Sequence, residues 1–214
     1  MTYDDARPIE PQPQSLSTAL DSAEAVALVG SRLCHDLISP LGAIGNGVEL
    51  LAMSGVAMSP ELQLIAQSVA SANARLKFFR VAFGQAAADQ RLGRPEISAL
   101  LDDLAQGGRL SFDWQAEGDQ SRRVVKLCFL GILCLETALP WGGRVTIGTD
   151  GNAWRLNAEA RKTKLDPALW QILGGAVGAI SPAQVQFALL PGEAARQGRQ
   201  VAWEIDETVA QISF

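Results

Sequence analysis

The sequence predicts an α+β chain. An antiparallel helical hairpin, doubled by a second copy into a four-helix bundle, is followed by an α/β sandwich. Three observations predict it. Two long segments carry apolar residues at alternating spacings of three and four, the pattern of paired helices. The loop between them is short, which sets them antiparallel. Beyond residue 93 the pattern changes to short alternating runs, divided by Gly, Pro and Asp turns and interleaved with helices. The chain divides accordingly into residues 1–20, 21–92 and 93–214.

Residues 1–20, with Pro8, Pro11 and Pro13 among polar residues, read as a flexible lead-in. The first helix is expected from Asp21 to Met53. Asp21 and Glu24 form a capping box at its start, and Ser54-Gly55 ends it. Its large apolar residues, Val26, Val29, Leu33, Leu37, Leu41, Ile44, Val48 and Leu51, form one stripe expected to be buried. Ser59-Pro60-Glu61 opens the second helix with a serine cap, a proline in the first turn and an acid. Leu62, Ile65, Val69, Ala72, Leu76, Phe79 and Phe83 then make a heptad seam. A hairpin cannot bury two such stripes by itself. A homodimer is the simplest solution, and a monomer whose C-terminal domain covers the seam is the alternative.

In the C-terminal part, Ile97–Leu104 reads as a helix and Leu110–Trp114 as a strand. Ser121–Leu139 reads as an apolar helix stopped by Pro140. Trp141-Gly142-Gly143 turns into a strand over Arg144–Thr149. Asp150-Gly151-Asn152 makes a hairpin turn into a strand over Ala153–Ala160. Helices near Pro167–Leu173 and Ser181–Leu190 precede two closing strands, Gln200–Ile205 and Thr208–Phe214. Helices on one face of a largely antiparallel sheet give the sandwich.

Composition narrows the function. The 214 residues carry a net charge of −5, which makes nucleic acid a poor default partner. Charged residues interrupt every long apolar run, so no membrane span is expected. The N-terminus, with Asp4-Asp5 and prolines, lacks the basic and apolar order of a signal peptide. Cys34, Cys128 and Cys134 are odd in number and lack zinc spacing, so they read as buried, reduced thiols of a cytoplasmic protein. With a single histidine the chain cannot build a multi-histidine metal site.

That histidine, His35, lies in the run Ser31-Arg32-Leu33-Cys34-His35-Asp36-Leu37-Ile38-Ser39-Pro40-Leu41. At about 100° per residue the apolar stripe centres near Leu33 and Leu37, and His35 projects roughly 175° away from it. Ile38, Ser39, Gly42, Asn46 and Glu49 share its side of the helix. Ile38 and Gly42 suit a solvated helix face poorly. Glycine costs about 1 kcal/mol in a helix relative to alanine, and Gly42, Gly45 and Gly47 all fall here, which suggests close approach of another backbone. Pro40 removes the hydrogen bond to the Asp36 carbonyl one turn beyond the histidine.

The motif from His35 to Leu41 resembles the phosphorylated H-box of sensor histidine kinases. The longer run Cys34–Pro40, followed by Gly42-Ala43-Ile44 and Asn46-Gly47, resembles the ChpT-type histidine phosphotransferases of alphaproteobacterial phosphorelays more closely. So does Leu76-Lys77-Phe78-Phe79-Arg80-Val81-Ala82-Phe83-Gly84 on the second helix. The resemblance implies a dimeric phosphotransfer bundle followed by a degenerate kinase-type ATPase domain. In kinases of this fold, asparagines on one helix and an Asp-x-Gly-x-Gly segment hold Mg-ATP. Here Leu133 and Thr137 take the asparagine positions, and Arg161-Lys162-Thr163-Lys164-Leu165-Asp166 takes the place of the glycine-rich segment. Gly174-Gly175 and Gly178 read as helix ends rather than a phosphate loop. No cofactor is therefore expected in this chain. ATP is not expected, and Mg²⁺ would come with a partner receiver domain.

The resemblance implies that His35 accepts a phosphoryl group from a receiver aspartate of a hybrid histidine kinase and passes it to response regulators. Asp36 would orient the ring or take its proton. Arg32 would help neutralise phosphate, and Ile38, Ser39, Gly42 and Asn46 would line the receiver-docking face. Ser39 stands where some kinases carry the Thr or Asn used for phosphatase action, so no phosphatase role follows. An ATP-dependent histidine kinase with an unusual pocket and a non-catalytic scaffold that docks receivers remain as rival readings.

Overall fold

Helix α1 (Ser22–Met53) runs unbroken through Pro40. The structure, a computed structural model, describes residues 22–55, 57–151 and 153–214. The expected flexible lead-in, and Asp21 with its capping box, lie outside the described residues. Helix α2 (Pro60–Ala82) begins as its sequence suggests: the Leu62 N–H donates to the Ser59 hydroxyl at 3.3 Å, and Pro60 fills the first turn.

Small residues bring α1 and α2 together. A Cβ on Gly30 would stand 3.1 Å from the Phe83 carbonyl oxygen and 3.2 Å from the Phe83 Cβ. One on Gly45 would meet Val69 Cγ1 at 3.5 Å. These contacts fix an antiparallel register, with Phe83 opposite Gly30 and Val69 opposite Gly45. Ala27, Cys34 and Val48 are buried along the same line and Leu41 is half-buried, a repeat of seven.

The stripe expected on α1 therefore divides. Leu41 and Val48 belong to the contact with α2. Val26, Val29, Leu33, Leu37, Ile44 and Leu51 are turned to a neighbouring face and stay 44% to 58% exposed. Close approach of two backbones selects small side chains for the seam and displaces bulky ones from it. Val26 borders Leu130 and Leu189 of the C-terminal part, and the rest of that bulky face stays exposed among the described residues. On α2, Val69 is buried, Leu76, Phe79 and Phe83 are half-buried, and Ile65 is 45% exposed. Phe78, Val81 and Ala82, outside the expected seam, are buried in the core shared with the C-terminal part, and Ala74 is buried as well. The Phe78 ring stacks on Phe129 with centroids 4.4 Å apart.

That part continues through β1 (Arg91–Leu92), α3 (Arg94–Ala105), β2 (Leu110–Trp114), β3 (Gln120–Ser121), α4 (Arg122–Ala138), β4 (Gly143–Asp150) and β5 (Ala153–Glu159). The last elements are α5 (Pro167–Gln171), α6 (Gln186–Arg196), β6 (Ala202–Ile205) and β7 (Val209–Ser213). The five-stranded sheet has the order β2-β4-β5-β7-β6. Strand β2 runs parallel to β4, and the other pairs are antiparallel. Val145 and Ile147, Trp154, Leu156 and Ala158, and Ala210 and Ile212 alternate inward, so one face of the sheet is buried. A Cβ on Gly131 of α4 would lie 2.8 Å from Leu156 Cδ2, which shows how closely that helix sits on the sheet. The result is the expected α+β sandwich, and all three cysteines are buried and free.

Two elements differ from expectation. Strands β1 and β3 pair as a separate two-stranded ribbon; two residues each are too few to show a period. Helix α6 passes Pro191 and ends at Arg196 rather than Leu190. Burial of Glu193 and Ala194 holds the turn beyond the proline.

Side-chain bonds tie the hairpin to the sandwich. Arg75 Nη1 and Nη2 donate to Glu136 Oε1 and Oε2 on α4 at 2.7 and 2.8 Å, a bidentate pair. Lys126 Nζ donates to the Gly84 carbonyl at 2.9 Å and pairs with Glu193 at 3.7 Å. Burial holds the Lys126 ammonium below its ordinary pKa, against the opposing charge of Glu193. No helix among the described residues is long and apolar enough to cross a membrane.

Candidate functional site

Helix α1 presents three faces. Taking Cys34 as the inner edge toward α2, the bulky apolar face lies to one side and His35 lies about 100° to the other. The His35 side chain is 83% exposed. Around it on α1, Arg32, Ser39 and Asn46 are exposed, while Ile38 and Gly42 are half-buried. These residues share one flank, as their spacing requires. A Cβ on Gly42 would meet nothing within 4 Å, so among the described residues the space over Gly42, beside His35, is open. Gly47 is equally open, whereas Gly45 is spent on the contact with Val69.

Asp36 Oδ1 lies 3.1 Å from His35 Nδ1. Asp36 Oδ2 lies 2.7 Å from Arg32 Nε, one turn earlier. The His35 hydrogen bond, supported by the charge and hydrogen bond of Arg32, holds the Asp36 carboxyl below the usual carboxylate range against a modest desolvation. An ionised carboxylate can only accept, so His35 Nδ1 carries the proton that it donates to Asp36. In the neutral ring the lone pair is then on Nε2, the nitrogen that can attack an electrophile. Arg32, read as a residue that helps neutralise phosphate, is exposed and pairs with Asp36 across one helical turn.

Cys34 contributes no second nucleophile. It is buried in the hairpin seam, and burial pushes its thiol pKa up. Among the described residues no group of three or more His, Cys, Asp or Glu could hold a metal ion. Arg80 of α2 enters the neighbourhood without a signal that spacing could supply. It is exposed, and its charge partly opposes the burial that raises the pKa of Cys34, the residue beside the histidine.

The second region of interest is α4 and the segment after β5. Leu133 is buried, and the Thr137 hydroxyl donates to the Cys134 carbonyl at 2.7 Å. Gln186 of α6 donates from Nε2 to the Leu133 carbonyl at 3.3 Å. In the segment Arg161–Asp166, the Thr163 hydroxyl bonds the Asp206 carbonyl and the Lys164 N–H donates to the Ala138 carbonyl at 2.8 Å. Asp166 caps α5. Gly175, with φ of +94°, closes the single turn after α5, as expected for a helix-end glycine.

Comparison with known proteins bears on both regions. The family described as histidine phosphotransferase C-terminal domain matches residues 94–209. Protein phosphotransferase ChpT of Brucella abortus (strain 2308) is 32% identical over 168 residues, covering 76% of this chain and 80% of the relative. The solved structure of a bacterial phosphotransferase shares 27% identity and superposes with a TM-score of 0.65, over 93% of this chain and 99% of the other. The chain therefore belongs to the ChpT-type histidine phosphotransferases.

Proposed function

We propose that this protein is a relay, with His35 receiving a phosphoryl group from the phosphorylated aspartate of one receiver domain and delivering it to the aspartate of another. The observation that carries this reading is the pairing of an exposed sole histidine with an ionised Asp36 at 3.1 Å. The His35 Nε2 lone pair attacks phosphorus, and an N–P bond forms. The acyl-phosphate O–P bond breaks, and its electron pair leaves on the receiver carboxylate. The positive charge left on the ring is met by Asp36, which holds or takes the Nδ1 proton. Delivery to the second receiver is the same step in reverse. Phosphoryl transfer asks mainly for positioning and charge neutralisation, and the receiver would bring the Mg²⁺.

Ile38, Ser39, Gly42 and Asn46 make the face on which a hybrid kinase's receiver and response regulators dock. The open space over Gly42 supports that placement. The bulky face of α1, with Leu33 57% and Leu37 48% exposed, supports a homodimer that closes a four-helix bundle. Because that face and His35 lie on opposite sides of α1, such a dimer leaves the histidine accessible. The same reading has the protein work in the cytoplasm without ATP. It is supported by the buried Leu133 and by the Thr137 hydroxyl being turned onto its own helix, since neither offers a ligand to a hard cation.

Two measurements test this. Incubation with a phosphorylated receiver domain should place an alkali-stable, acid-labile label on the wild-type protein and none on His35→Ala. Titration with a non-hydrolysable Mg-ATP analogue should give no saturable heat. Saturable binding, with label taken from ATP, points instead to a kinase.

A further inference from the structure

Arg80 stands among the residues of α2 that face α1. Val69 and Phe83 mark that inner edge, because they lie opposite Gly45 and Gly30. Helical rotation of about 100° per residue turns Arg80 about 40° from the edge and His35 about 100° from the Cys34 edge of α1. The helices are antiparallel, so the same sense of rotation leads both residues to the same side of the hairpin, away from the bulky apolar face. The register also sets Arg80 level with the turn from Ser31 to Cys34.

A second cation backs it. Arg122, the first residue of α4, donates from Nε to the Gln85 carbonyl at 3.1 Å and from Nη2 to the Arg80 carbonyl at 2.9 Å. Burial first, and then the nearby Arg80 charge, hold Arg122 below its ordinary pKa, while Glu96 opposes them. Two like charges are thus kept in reach of each other. Other cations of the hairpin are engaged: Arg32 with Asp36, Arg75 with Glu136, and Lys77 with Asp103. The Arg80 guanidinium has no hydrogen bond or ion pair among the described residues. An anion arriving on this side would relieve the repulsion and meet an unengaged fork of donors.

A phosphoryl group on His35 Nε2 is such an anion, with close to two negative charges and three acceptor oxygens. We propose that Arg80 binds the phosphoryl oxygens of phospho-His35, with Arg122 as a fixed second positive charge behind it. This rests on His35 being the phosphoryl acceptor, and it adds a cation of α2 to the Arg32 that α1 carries one turn before the histidine.

The test uses phosphoramidate, a small donor that gives up its phosphoryl group and leaves as ammonia, so no receiver is needed. Wild type, Arg80→Gln and Arg80→Lys are treated in parallel. The phosphohistidine is followed by ³¹P NMR across pH, and folding is checked by circular dichroism. In Arg80→Gln, acceptance should slow about tenfold, and the second phosphoryl pKa should rise by about half a unit. Arg80→Lys, which keeps the charge, should retain most of the pKa effect. If the wild type gains label on His35 but all three proteins share one rate and one phosphoryl pKa, Arg80 is an ordinary surface residue and the proposal fails. If the wild type gains no label on His35 under conditions that phosphorylate free imidazole, the acceptor reading falls and this proposal falls with it.

Discussion

The imidazole of His35 is held by one bond, from Nδ1 to Asp36, and is otherwise open to solvent. Replacing it should therefore cost the fold little: His35→Gln is expected to change unfolding free energy by less than about 0.5 kcal/mol while abolishing receipt of the phosphoryl group, a contrast read by denaturant titration beside a labelling assay. In the proposed relay Asp36 acts through the ring. Asp36→Asn can present an amide donor to Nδ1 and so admit the wrong tautomer, and single-turnover transfer should slow about 10- to 100-fold. The pH dependence of that effect has a definite sign. The Asp36 carboxyl is held below the ordinary range, so its contribution is complete above that range and lost as pH falls through the lowered value. The ratio of wild-type to Asp36→Asn rates should stay level from pH 8 to 5 and begin to close only below about 4. A ratio that closes near neutrality would remove Asp36 from the role. The sequence made His35 and Asp36 legible because one helix carries both. The place proposed for Arg80, on the His35 side of the hairpin, was not legible, because it depends on the register between two helices.

At the scale of elements, the hairpin turns on residues that a hydrophobic pattern does not show. Spacings of three and four marked both helices correctly. They could not say which face of α1 meets which partner, because bulky residues dominate the pattern while Ala27, Gly30 and Gly45 make the contact. The seven-residue repeat through Ala27, Cys34, Leu41 and Val48 was the readable signal for the inner edge. Gly30→Leu should force the helices apart at Phe83 and cost about 1–3 kcal/mol, measured by thermal melting. The strands were easier to read, since alternation depends only on a buried face. Their last turn is fixed by Asp206, whose Oδ1 accepts from the Thr208 and Val209 N–H groups at 2.8 and 2.7 Å. Those bonds hold the Asp206 carboxyl below its ordinary range. The stabilisation is thus present above the ordinary carboxylate pKa and lost as pH falls through the lowered one. Asp206→Ala should lower the melting temperature at pH 7, and the gap to wild type should narrow below about pH 4. A constant gap would mean that the charge contributes nothing to the turn.

For the whole molecule, the proposed division of labour sets an apolar face on one side of α1 and the chemistry on the other. Leu33→Glu combined with Leu37→Glu should convert a dimer into a monomer in sedimentation, with the sandwich still melting cooperatively. An unchanged mass would leave the bulky face without its assigned occupant. The sandwich is fastened to the hairpin by Arg75 with Glu136 and by Lys126 with the Gly84 carbonyl. Neither tie could be read from spacing, because each joins residues far apart in the chain. The central claim is that His35 is a waystation between two receivers. It is tested most directly with one receiver carrying a labelled aspartyl phosphate, a second unlabelled receiver, and a catalytic amount of this protein. The expected result is label passing through a transient phospho-His35 to the second receiver, with no nucleotide present and no transfer by His35→Gln. Label reaching the second receiver equally well with His35→Gln, or no phospho-His35 with any receiver tried, would contradict it.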